Sequence, residues 1–417
     1  MDFKTIAHNA VRRWNEKRTA RNTTGTARAA TPRAGTLPKA AGLESALGRF
    51  LAARYDFRFN VLTGATEFRS LPDMGNGTFR PVTERDLNAV CLEAHRHGID
   101  CWDRDVARMV HSADIREYHP FRQYFQRLPP WDGRDRLHNL AARVSDSPLW
   151  TQAFHRWMLG LAAQWAGLSD GLHAHSTAPL LVSDEQGLGK STFCRALLPP
   201  ELQAYYSDSV DLARPDKVER QLTEMGLLNL DEFDRIPERK HPLLKNLMQL
   251  SALNLRKAYQ RHGEALPRIA SFIGTSNSRE LLSDPSGSRR FICVLVEHPI
   301  DCTAIDHAQV YAQLKAELEN GERYWFSHGE ENALRMHNAA FQRICPAAEV
   351  LRRHYRAARP EEKARPLSLP EIFARLRRLE PGAMAGVTLP RLAHALVAEG
   401  VQKVHTHYGN RYRVVEI

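Results

Sequence analysis

The chain has 417 residues, of which 43% are hydrophobic, and this length exceeds what one ordinary core supports, so two or three domains are expected. The 58 basic and 48 acidic side chains give a formal net charge of +10, which favours a polyanionic partner but carries no information about the fold. No apolar run reaches the roughly 18 residues that cross a bilayer, and the N-terminus lacks the apolar core of a signal peptide, so neither a membrane span nor a secretory leader is predicted.

Residues 1–41 are predicted to form a disordered basic arm. Within it, residues 18–41 are rich in Thr, Ala, Arg, Gly and Pro, contain almost no acidic residue and show no apolar periodicity. A segment of this composition cannot bury a hydrophobic core. The arm either binds phosphate groups through its arginines or serves only as a solubilising tail.

Residues 42–130 are predicted to form a small α/β domain. An amphipathic helix runs into a strand in which Phe57 and Phe59 alternate with polar neighbours. Two further helices follow, and Thr83 is the expected N-cap of the first of them. No pair of carboxylates in this segment indicates a primase site. Residues 131–177 are predicted to be a helical connector.

Residues 178–344 are predicted to form a three-layer α/β core. Short apolar runs alternate with helical segments in this part of the chain. Runs without polar interruptions are typical of parallel strands buried on both faces, and their alternation with helices indicates a sheet covered by helices. The runs are APLLVS, MGLLNLD, IASFIGTSN and RFICVLV, and residues 305–343 are expected to be helical.

A candidate phosphate-binding loop, Ser183–Thr192 with the sequence SDEQGLGKST, follows the first of these runs. Gly187 and Gly189 allow the backbone to curl so that successive N–H groups point at phosphate oxygens, and the dipole of the following helix favours anions. Lys190 would bring a positive charge to the β- and γ-phosphates, and Ser191 would offer its hydroxyl to Mg²⁺. We therefore expect ATP and Mg²⁺ as cofactors. The expected ATP-binding residues are Gly187, Leu188, Gly189, Lys190, Ser191 and Thr192.

One position of this loop departs from the usual pattern GxxxxGK[ST], because Asp184 stands where the pattern has its first glycine. Asp tolerates unusual backbone angles better than most residues, so the assignment is kept, provided that the carboxylate points away from the phosphates. The alternative is a Gly-rich turn between strand and helix that binds no nucleotide. A DNA-binding module with a decayed nucleotide site is a further reading, which rests on Asp184 alone.

The next two core strands end in polar residues suited to ATP hydrolysis. The second strand ends in Asp231 and Glu232, and the third ends in Asn277. The carboxyl ends of parallel strands border the crevice where ligands bind in open α/β sheets. Asp231 is the candidate Mg²⁺ ligand, Glu232 is the candidate general base for the attacking water, and Asn277 is the candidate for orienting that water. The alternative for the two acids is a strand that happens to end in carboxylates before a turn.

Arg289 and Arg290 follow on a Gly/Ser turn and are candidates for an arginine finger. A planar guanidinium suits the charge that develops on a transferring phosphoryl group. A finger that serves the site of a neighbouring subunit requires a ring, and a hexamer is the expected homo-oligomer. The alternative is a basic turn that contacts solvent or DNA.

Together these motifs resemble the virulence-associated E family of phage and mobile-element ATPases, which is similar to the superfamily 3 helicases within the AAA+ class. The resemblance covers residues 115–300 and implies an AAA+ type P-loop core with Walker A, Walker B, sensor Asn and arginine finger in that order. It rests on LPPWDGRDRLHNLA, DEQGLGKSTF, LLNLDEFD, PRIASFIGTSN and SGSRRF. RYDFRFNVLTGATEFR with DLNAV resembles the domain that often precedes the ATPase in this family.

The resemblance also points to a nucleic-acid-binding hairpin between the acidic strand and the sensor strand. In superfamily 3 helicases this region carries a hairpin that projects into the pore of the ring. By this resemblance Lys257, Tyr259 and Arg261 are candidates for gripping phosphates and stacking on the bases of single-stranded DNA. The alternative is a solvated basic hairpin on an ordinary surface.

Residues 345–417 are predicted to form a winged helix-turn-helix domain. Three helices are expected, the first over PAAEVLRRHYRAA and the second and third capped by Ser368 and Thr388, followed by two strands joined at Gly409–Asn410. The third helix, which carries Arg391, would enter the major groove of duplex DNA, and the hairpin wing would meet the DNA backbone. The alternative is a winged helix that binds protein. The basic residues of the wing are His405, His407, Arg411 and Arg413.

The cysteines are scattered and include no CxxC pair, so the sequence implies neither a zinc site nor a disulfide framework. A lone His-x-His at His173 and His175 is more typical of a polar loop than of a metal pair. This cysteine usage fits a reducing cytoplasm. The cysteines are Cys91, Cys101, Cys194, Cys293, Cys302 and Cys345.

The sequence therefore predicts an ATP-hydrolysing nucleic-acid motor, specifically a ring-forming DNA helicase or replication protein of a phage or mobile element. The alternative is a regulatory or anti-phage-defence AAA+ switch that binds nucleotide and a partner without unwinding DNA. Strand displacement that requires ATP distinguishes the two.

Overall fold

The computed structural model divides the chain into two compact units. The large unit comprises Met1–Asn277 with Gly287–His337, and the small unit comprises Ser278–Ser286 with Asn338–Ile417. The predicted arm lies outside the described residues up to residue 38, and its last residues, from Lys39, begin the first helix. The described residues are 39–71, 77–169, 172–255, 263–283, 288–343, 346–359, 361–362, 364–407 and 409–417.

A four-stranded sheet and three helices open the large unit. The elements are α1 (Lys39–Arg54), β1 (Tyr55–Asn60), β2 (Ala65–Ser70), β3 (Arg80–Pro81), α2 (Glu84–Arg96), α3 (Asp103–Val110) and β4 (Glu117–Tyr118). The strand order is β3-β2-β1-β4, with β1 antiparallel to β2 and parallel to β4. The three helices share a hydrophobic cluster that also contacts Tyr55 and Phe57 of β1. Thr83 caps α2 as predicted, because its hydroxyl accepts the Asp86 N–H and the Asp86 carboxylate accepts the Thr83 N–H.

Three helices connect this sheet to the core strands and are themselves part of the core. They are α4 (Pro120–Arg127), α5 (Arg136–Ala142) and α6 (Pro148–Ala166). Trp157 and Trp165 of α6 are fully buried in one hydrophobic cluster with Leu181, Phe193 and Ile273 of the following segment. The residues predicted to be a connector therefore pack directly against the strand and helix that flank the phosphate loop.

The central part of the large unit alternates strands and helices. Its elements are β5 (Ala178–Val182), α7 (Lys190–Ala196), β6 (Tyr206–Ser207), α8 (Pro215–Glu224), β7 (Leu227–Leu230), α9 (His241–Gln249), β8 (Ala252–Leu255), β9 (Glu264–Pro267), β10 (Ser271–Ser276), β11 (Phe291–Leu295), α10 (His307–Glu319) and α11 (His328–His337). The predicted parallel strands β5, β7, β10 and β11 are all present. The segment predicted to be helical after residue 305 is interrupted between α10 and α11, so that prediction holds only in part.

The strand order brings three strand ends side by side. The five-stranded sheet has the order β11-β5-β10-β7-β6, and every neighbouring pair is parallel. β10 therefore lies between the strand that precedes the phosphate loop and the strand that ends in two acids. The carboxyl ends of β5, β10 and β7 share one edge of the sheet, which is where ligands bind in open α/β sheets. The prediction of a parallel α/β core is confirmed.

The small unit combines three helices with short antiparallel strands. Its elements are α12 (Pro346–His354), β12 (Tyr355–Ala357), β13 (Leu367–Ser368), α13 (Leu369–Leu379), α14 (Leu389–Ala398), β14 (Lys403–Thr406), β15 (Gly409–Tyr412) and β16 (Val414–Glu416). β15 lies between β13 and β14, and β12 pairs with β16. Ser368 caps α13 through a reciprocal pair of hydrogen bonds with Glu371, whereas the Thr388 side chain makes no cap hydrogen bond at α14.

Two details predicted for the small unit are wrong. The first helix ends at His354, because Tyr355–Ala357 pairs with β16 as a strand. The hairpin does not turn at Gly409–Asn410, because both residues lie in β15 and Gly409 pairs with Thr406. In each case the hydrogen bonds of a strand ladder outweigh a local preference for helix or turn.

None of the helices in the described part of the chain combines the length and the apolar content that crossing a bilayer requires.

Candidate nucleotide-binding site

The loop between β5 and α7 depends on its two glycines. Gly187 and Gly189 have φ of 81° and 84°, in the left-handed region that residues with a Cβ rarely adopt. A Cβ on Gly189 would also lie 3.3 Å from the carbonyl oxygen of Ile300. Asp184 is exposed and is not among the described residues with positive φ, so its backbone conformation does not require glycine. The departure from the usual loop pattern is therefore sterically neutral.

Lys190 begins α7, and only 7% of its surface is exposed. Its ammonium group donates hydrogen bonds to the Glu185 carbonyl oxygen at 3.1 Å, to Asn277 Oδ1 at 3.0 Å and to Ser183 Oγ. Burial lowers the pKa of Lys190, and nearby carboxylates, that of Asp231 first, oppose this shift. Hydrogen bonds to anions are stronger than those to neutral acceptors. The amine thus faces a set of oxygen acceptors, and this position suits an anionic ligand.

Ser191 and Asp231 meet at the mouth of the loop. The Ser191 hydroxyl donates to Asp231 Oδ1 at 2.9 Å, and the Thr275 hydroxyl donates to the same oxygen at 2.6 Å. Mg²⁺ prefers oxygen ligands and usually takes few of them from protein, keeping waters and substrate phosphates for the rest. The hydroxyl of Ser191 and the carboxylate of Asp231 therefore fit a Mg²⁺ ion that enters together with a nucleotide.

Glu232 has a strained backbone at the end of β7. Its φ of 51° and ψ of 50° are left-handed, which costs a residue with a Cβ roughly 1–2 kcal/mol. Such strain is concentrated at functional sites, where surrounding contacts over-determine the conformation. Here the Glu232 N–H donates to Thr275 Oγ1 at 3.3 Å, and the Glu232 carboxylate accepts a hydrogen bond from Arg235 Nη1 at 2.6 Å.

Asn277 is oriented by the segment that follows β7. Asp234 Oδ1 accepts hydrogen bonds from the Ser276 hydroxyl at 2.9 Å and from the Asn277 N–H at 3.3 Å. The Asn277 side-chain oxygen faces Lys190. The sensor candidate is therefore positioned by the segments that follow both neighbouring strands: Asp234 lies after β7, and Lys190 lies after β5.

These side chains line one cavity of about 370 Å³. Pockets of roughly 300–1,000 Å³ are typical for small ligands. The lining combines the loop backbone, one buried cation and oxygen-bearing side chains, a set suited to an anionic ligand with a bound cation. The lining residues are Gln186, Gly187, Leu188, Gly189, Lys190, Ser191, Thr192, Asp231, Glu232, Thr275 and Asn277.

Arg289 and Arg290 lie at the opposite edge of the sheet. They come directly before β11, which runs parallel to β5 from the pair Phe291 and Ala178 onward. At about 3.3 Å per residue, roughly 13 Å of strand separates them from the loop edge. Arg289 donates to Glu331 at 3.0 Å. In this arrangement neither arginine reaches the phosphate loop of its own chain.

Lys257, Tyr259 and Arg261 lie outside the described residues. The strands on either side are described, and β8 pairs antiparallel with β9 up to Leu255 opposite Glu264. β8 and β9 are therefore the two strands of a β-hairpin. Since β9 leads into the start of β10, this hairpin joins the sheet at the edge away from the phosphate loop.

The DNA-binding candidates of the small unit are spread over three elements. Arg391 is exposed on α14 and His405 is exposed on β14. Arg411 of β15 donates to the Pro366 carbonyl oxygen at 3.2 Å. Because Arg411 pairs with Val404, the neighbour of His405, the two basic side chains leave opposite faces of the hairpin. The register does not bring them together.

Several side chains that position this site had been given no role from the sequence. They are Ser183 beside Lys190, Thr275 beside Asp231, Asp234 beside Asn277 and Arg235 beside Glu232. One signal was available for Thr275, because it precedes Asn277 by two positions and alternate residues of a strand share a face. The other pairings depend on turns after β5 and β7 whose course periodicity does not indicate.

A family model described as the virulence-associated protein E-like domain matches residues 125–343, which is more than half of the chain. A second model, a domain of unknown function described from a B. theta gene, matches residues 344–414. No curated protein matches the chain.

Solved structures similar to the chain include apo structures of the NrS-1 C-terminal region. One has 11% sequence identity and a TM-score of 0.44, and the match covers 90% of this chain and 99% of that one. An A form of the same region has 10% identity and a TM-score of 0.41, with 89% and 98% covered.

Proposed function

The chain belongs to the virulence-associated protein E-like family, and from this premise we propose that it is an ATP-dependent nucleic-acid motor, a ring-forming DNA helicase or replication protein of a phage or mobile element. One observation carries the proposal. The buried amine of Lys190, the hydrogen-bonded pair of Ser191 and Asp231, and the side chain of Asn277 converge on a single cavity at one edge of a parallel sheet. This combination supports an AAA+ type site for a nucleoside triphosphate.

The reaction proposed is attack of water on the γ-phosphorus of ATP, with rupture of the bond to the β,γ-bridging oxygen. Glu232 accepts the proton of the attacking water, and Asn277 orients that water. Lys190 and the N–H groups of the loop bind the β- and γ-phosphates. Ser191 and Asp231 would hold Mg²⁺, which neutralises charge on the phosphates when bound.

The ion pair with Arg235 restrains Glu232, the proposed general base. The hydrogen bond from Arg235 at 2.6 Å occupies one oxygen of the Glu232 carboxylate and restrains its orientation, so release of Arg235 would leave both oxygens free to turn toward the attacking water. Arg235 is exposed and lies outside the cavity lining, so the two side chains can separate without disturbing the core. We expect ATP and the approach of a neighbouring subunit to favour the separated state.

The position of Arg289 and Arg290 supports a ring rather than a self-sufficient monomer. Their distance from the loop of their own chain leaves a neighbouring subunit's site as the place where a finger would act. The exposed edge beside the β8–β9 hairpin is the proposed path of single-stranded DNA. The helices and hairpin of the small unit are proposed to form a winged helix that binds duplex DNA through Arg391 and His405.

A regulatory switch is the second candidate function, and the restrained Glu232 favours it. A switch would bind ATP tightly and turn over slowly until a partner releases the base. The motor and the switch would use the same nucleotide site, so ATP binding alone does not distinguish the two functions.

The test uses the purified full-length chain. ATP hydrolysis is measured with and without single-stranded DNA, and displacement of a labelled strand is measured on a forked duplex. The motor predicts hydrolysis that DNA stimulates and strand displacement that ATP hydrolysis drives, and Lys190→Ala should abolish both. Binding and hydrolysis of ATP without any strand displacement would favour the switch, and failure to bind ATP would overturn both proposals.

A further inference from the structure

Three side chains with metal-ligand chemistry converge in the first part of the large unit, far in sequence from the nucleotide site. They are Cys91, His95 and Cys101, and their ligand atoms all lie within 4.8 Å of one another. Cys91 and Cys101 are buried and carry free thiols, whereas His95 is exposed. Within the described part of the chain, no other group of three His, Cys, Asp or Glu side chains meets this distance.

Local geometry explains the convergence. Cys91 and His95 are four residues apart on α2, so they share one face of the helix. The helix then ends in a tight turn, in which the Ile99 N–H donates to the Ala94 carbonyl oxygen at 3.0 Å and Gly98 has a φ of 76°. This turn folds the chain back along the helix and returns Cys101 to the same face just before α3.

The present contacts join all three residues. Cys91 Sγ lies 3.9 Å from His95 Nε2 and 3.4 Å from the Cys101 carbonyl oxygen. His95 Nε2 lies 2.6 Å from that same carbonyl oxygen. With zinc–sulfur bonds of about 2.3 Å and zinc–nitrogen bonds of about 2.0 Å, two ligands of a tetrahedral zinc lie roughly 3.5 Å apart. A small rotation of the exposed imidazole away from the carbonyl would bring sulfur and nitrogen to that spacing.

We propose that Cys91, His95 and Cys101 bind one Zn²⁺ ion, with the fourth position open to solvent on the side of His95. Two thiolates and an imidazole form a borderline-soft set that selects zinc over Mg²⁺ or Ca²⁺. Three protein ligands with one open position are an established coordination pattern for zinc. The exposed imidazole also provides the entry path for the ion.

The ion would cross-link the end of α2 to the beginning of α3. The hydrophobic cluster beneath these helices is small, and small cores are commonly reinforced by a metal or a disulfide. A ligand that binds only the folded state raises the melting temperature. The site involves no residue of the nucleotide cavity, so it is independent of the proposed motor function.

The test is spectroscopic and uses the full-length chain, stripped of metal with a chelator and kept reduced. Titration with Co²⁺ should give a thiolate-to-cobalt charge-transfer band and the intense visible bands of a tetrahedral site, saturating at one equivalent. Added Zn²⁺ should abolish these bands and raise the melting temperature. Cys91→Ser and His95→Ala should each lose the tetrahedral spectrum.

Matched controls identify the site. Cys302→Ser removes a thiol elsewhere, and His97→Ala removes the neighbouring imidazole, so both should keep the spectrum. His95→Ala is the decisive variant, because His95 is exposed and its loss leaves the buried thiols and the core in place. A tetrahedral spectrum that survives in folded His95→Ala, or wild-type protein that is folded and reduced but binds no Co²⁺, would overturn the proposal.

Discussion

Arg235 offers a sharp test of how the proposed base is controlled. Its guanidinium donates to the Glu232 carboxylate at 2.6 Å, and the two side chains are 71% and 40% exposed. Arg235→Ala removes this partner and leaves the lining of the cavity intact. If the ion pair restrains Glu232 from turning toward the attacking water, the variant should hydrolyse ATP faster than the natural chain in the absence of nucleic acid.

The size of the increase follows from the exposure of the pair. Ion pairs between exposed side chains contribute about 0–1 kcal/mol, because water screens them. Removing a barrier contribution of at most about 1 kcal/mol raises kcat by at most about fivefold, since 1.36 kcal/mol corresponds to a tenfold change. KM for ATP should not change, because Arg235 does not line the cavity. The factor by which DNA increases the rate of ATP hydrolysis should decrease in the same proportion.

The assay is steady-state hydrolysis with and without single-stranded DNA. Arg235→Lys keeps the charge and should stay within about twofold of the natural chain. Arg220→Ala is the matched control, because Arg220 forms an exposed pair with Glu224 at the same 2.6 Å distance on α8. A fall in kcat of more than tenfold in Arg235→Ala would refute the reasoning, because it would mean that Arg235 assists the chemistry instead of restraining the base.

Further predictions concern the cavity, the finger and one buried cation. Lys190→Ala should abolish ATP binding in a fluorescent-nucleotide titration, whereas Glu232→Gln should bind normally and fail to turn over, and normal turnover by Glu232→Gln would disprove the base assignment. A double variant, Arg289→Ala with Arg290→Ala, should lose roughly a thousandfold in rate and should regain activity when mixed with Lys190→Ala subunits; no regain despite proven subunit exchange would exclude a finger in trans. Arg268 is 2% exposed and donates to the Met248 carbonyl oxygen at 2.6 Å, so Arg268→Met should lower the free energy of unfolding by about 3 kcal/mol in a denaturant titration, and a loss below about 1 kcal/mol would contradict this.

The local motifs were accessible from the sequence because their physics is local. An uninterrupted apolar run predicts a buried strand, and the loop Ser183–Thr192 is recognisable because its glycines, lysine and serine are close together in the chain. The caps at Thr83 and Ser368 were predictable for the same reason, since each cap bonds a residue three positions on.

The order of the strands in the sheet determined which of these motifs come into contact. Ser191 and Asp231 are 40 positions apart, and they touch because β5 and β7 run parallel on either side of β10, so that both strands end at the same edge of the sheet. Periodicity fixes which face a side chain takes, but it does not rank the possible neighbours of a strand. The ranking comes from packing and ladder hydrogen bonds over the whole sheet.

Tertiary contacts also explain where a prediction from local sequence preference differs from the structure. Gly409 and Asn410 favour a turn by themselves, yet they lie in a strand because Thr406 and its neighbours provide ladder partners. Cys91, His95 and Cys101 match no zinc motif by spacing, yet they meet because a left-handed Gly98 reverses the chain after α2. Sequence determined the chemical groups and their local conformations. Only the fold determined which of those groups share a site, because non-local contacts depend on the balance of burial and hydrogen bonding across the entire chain.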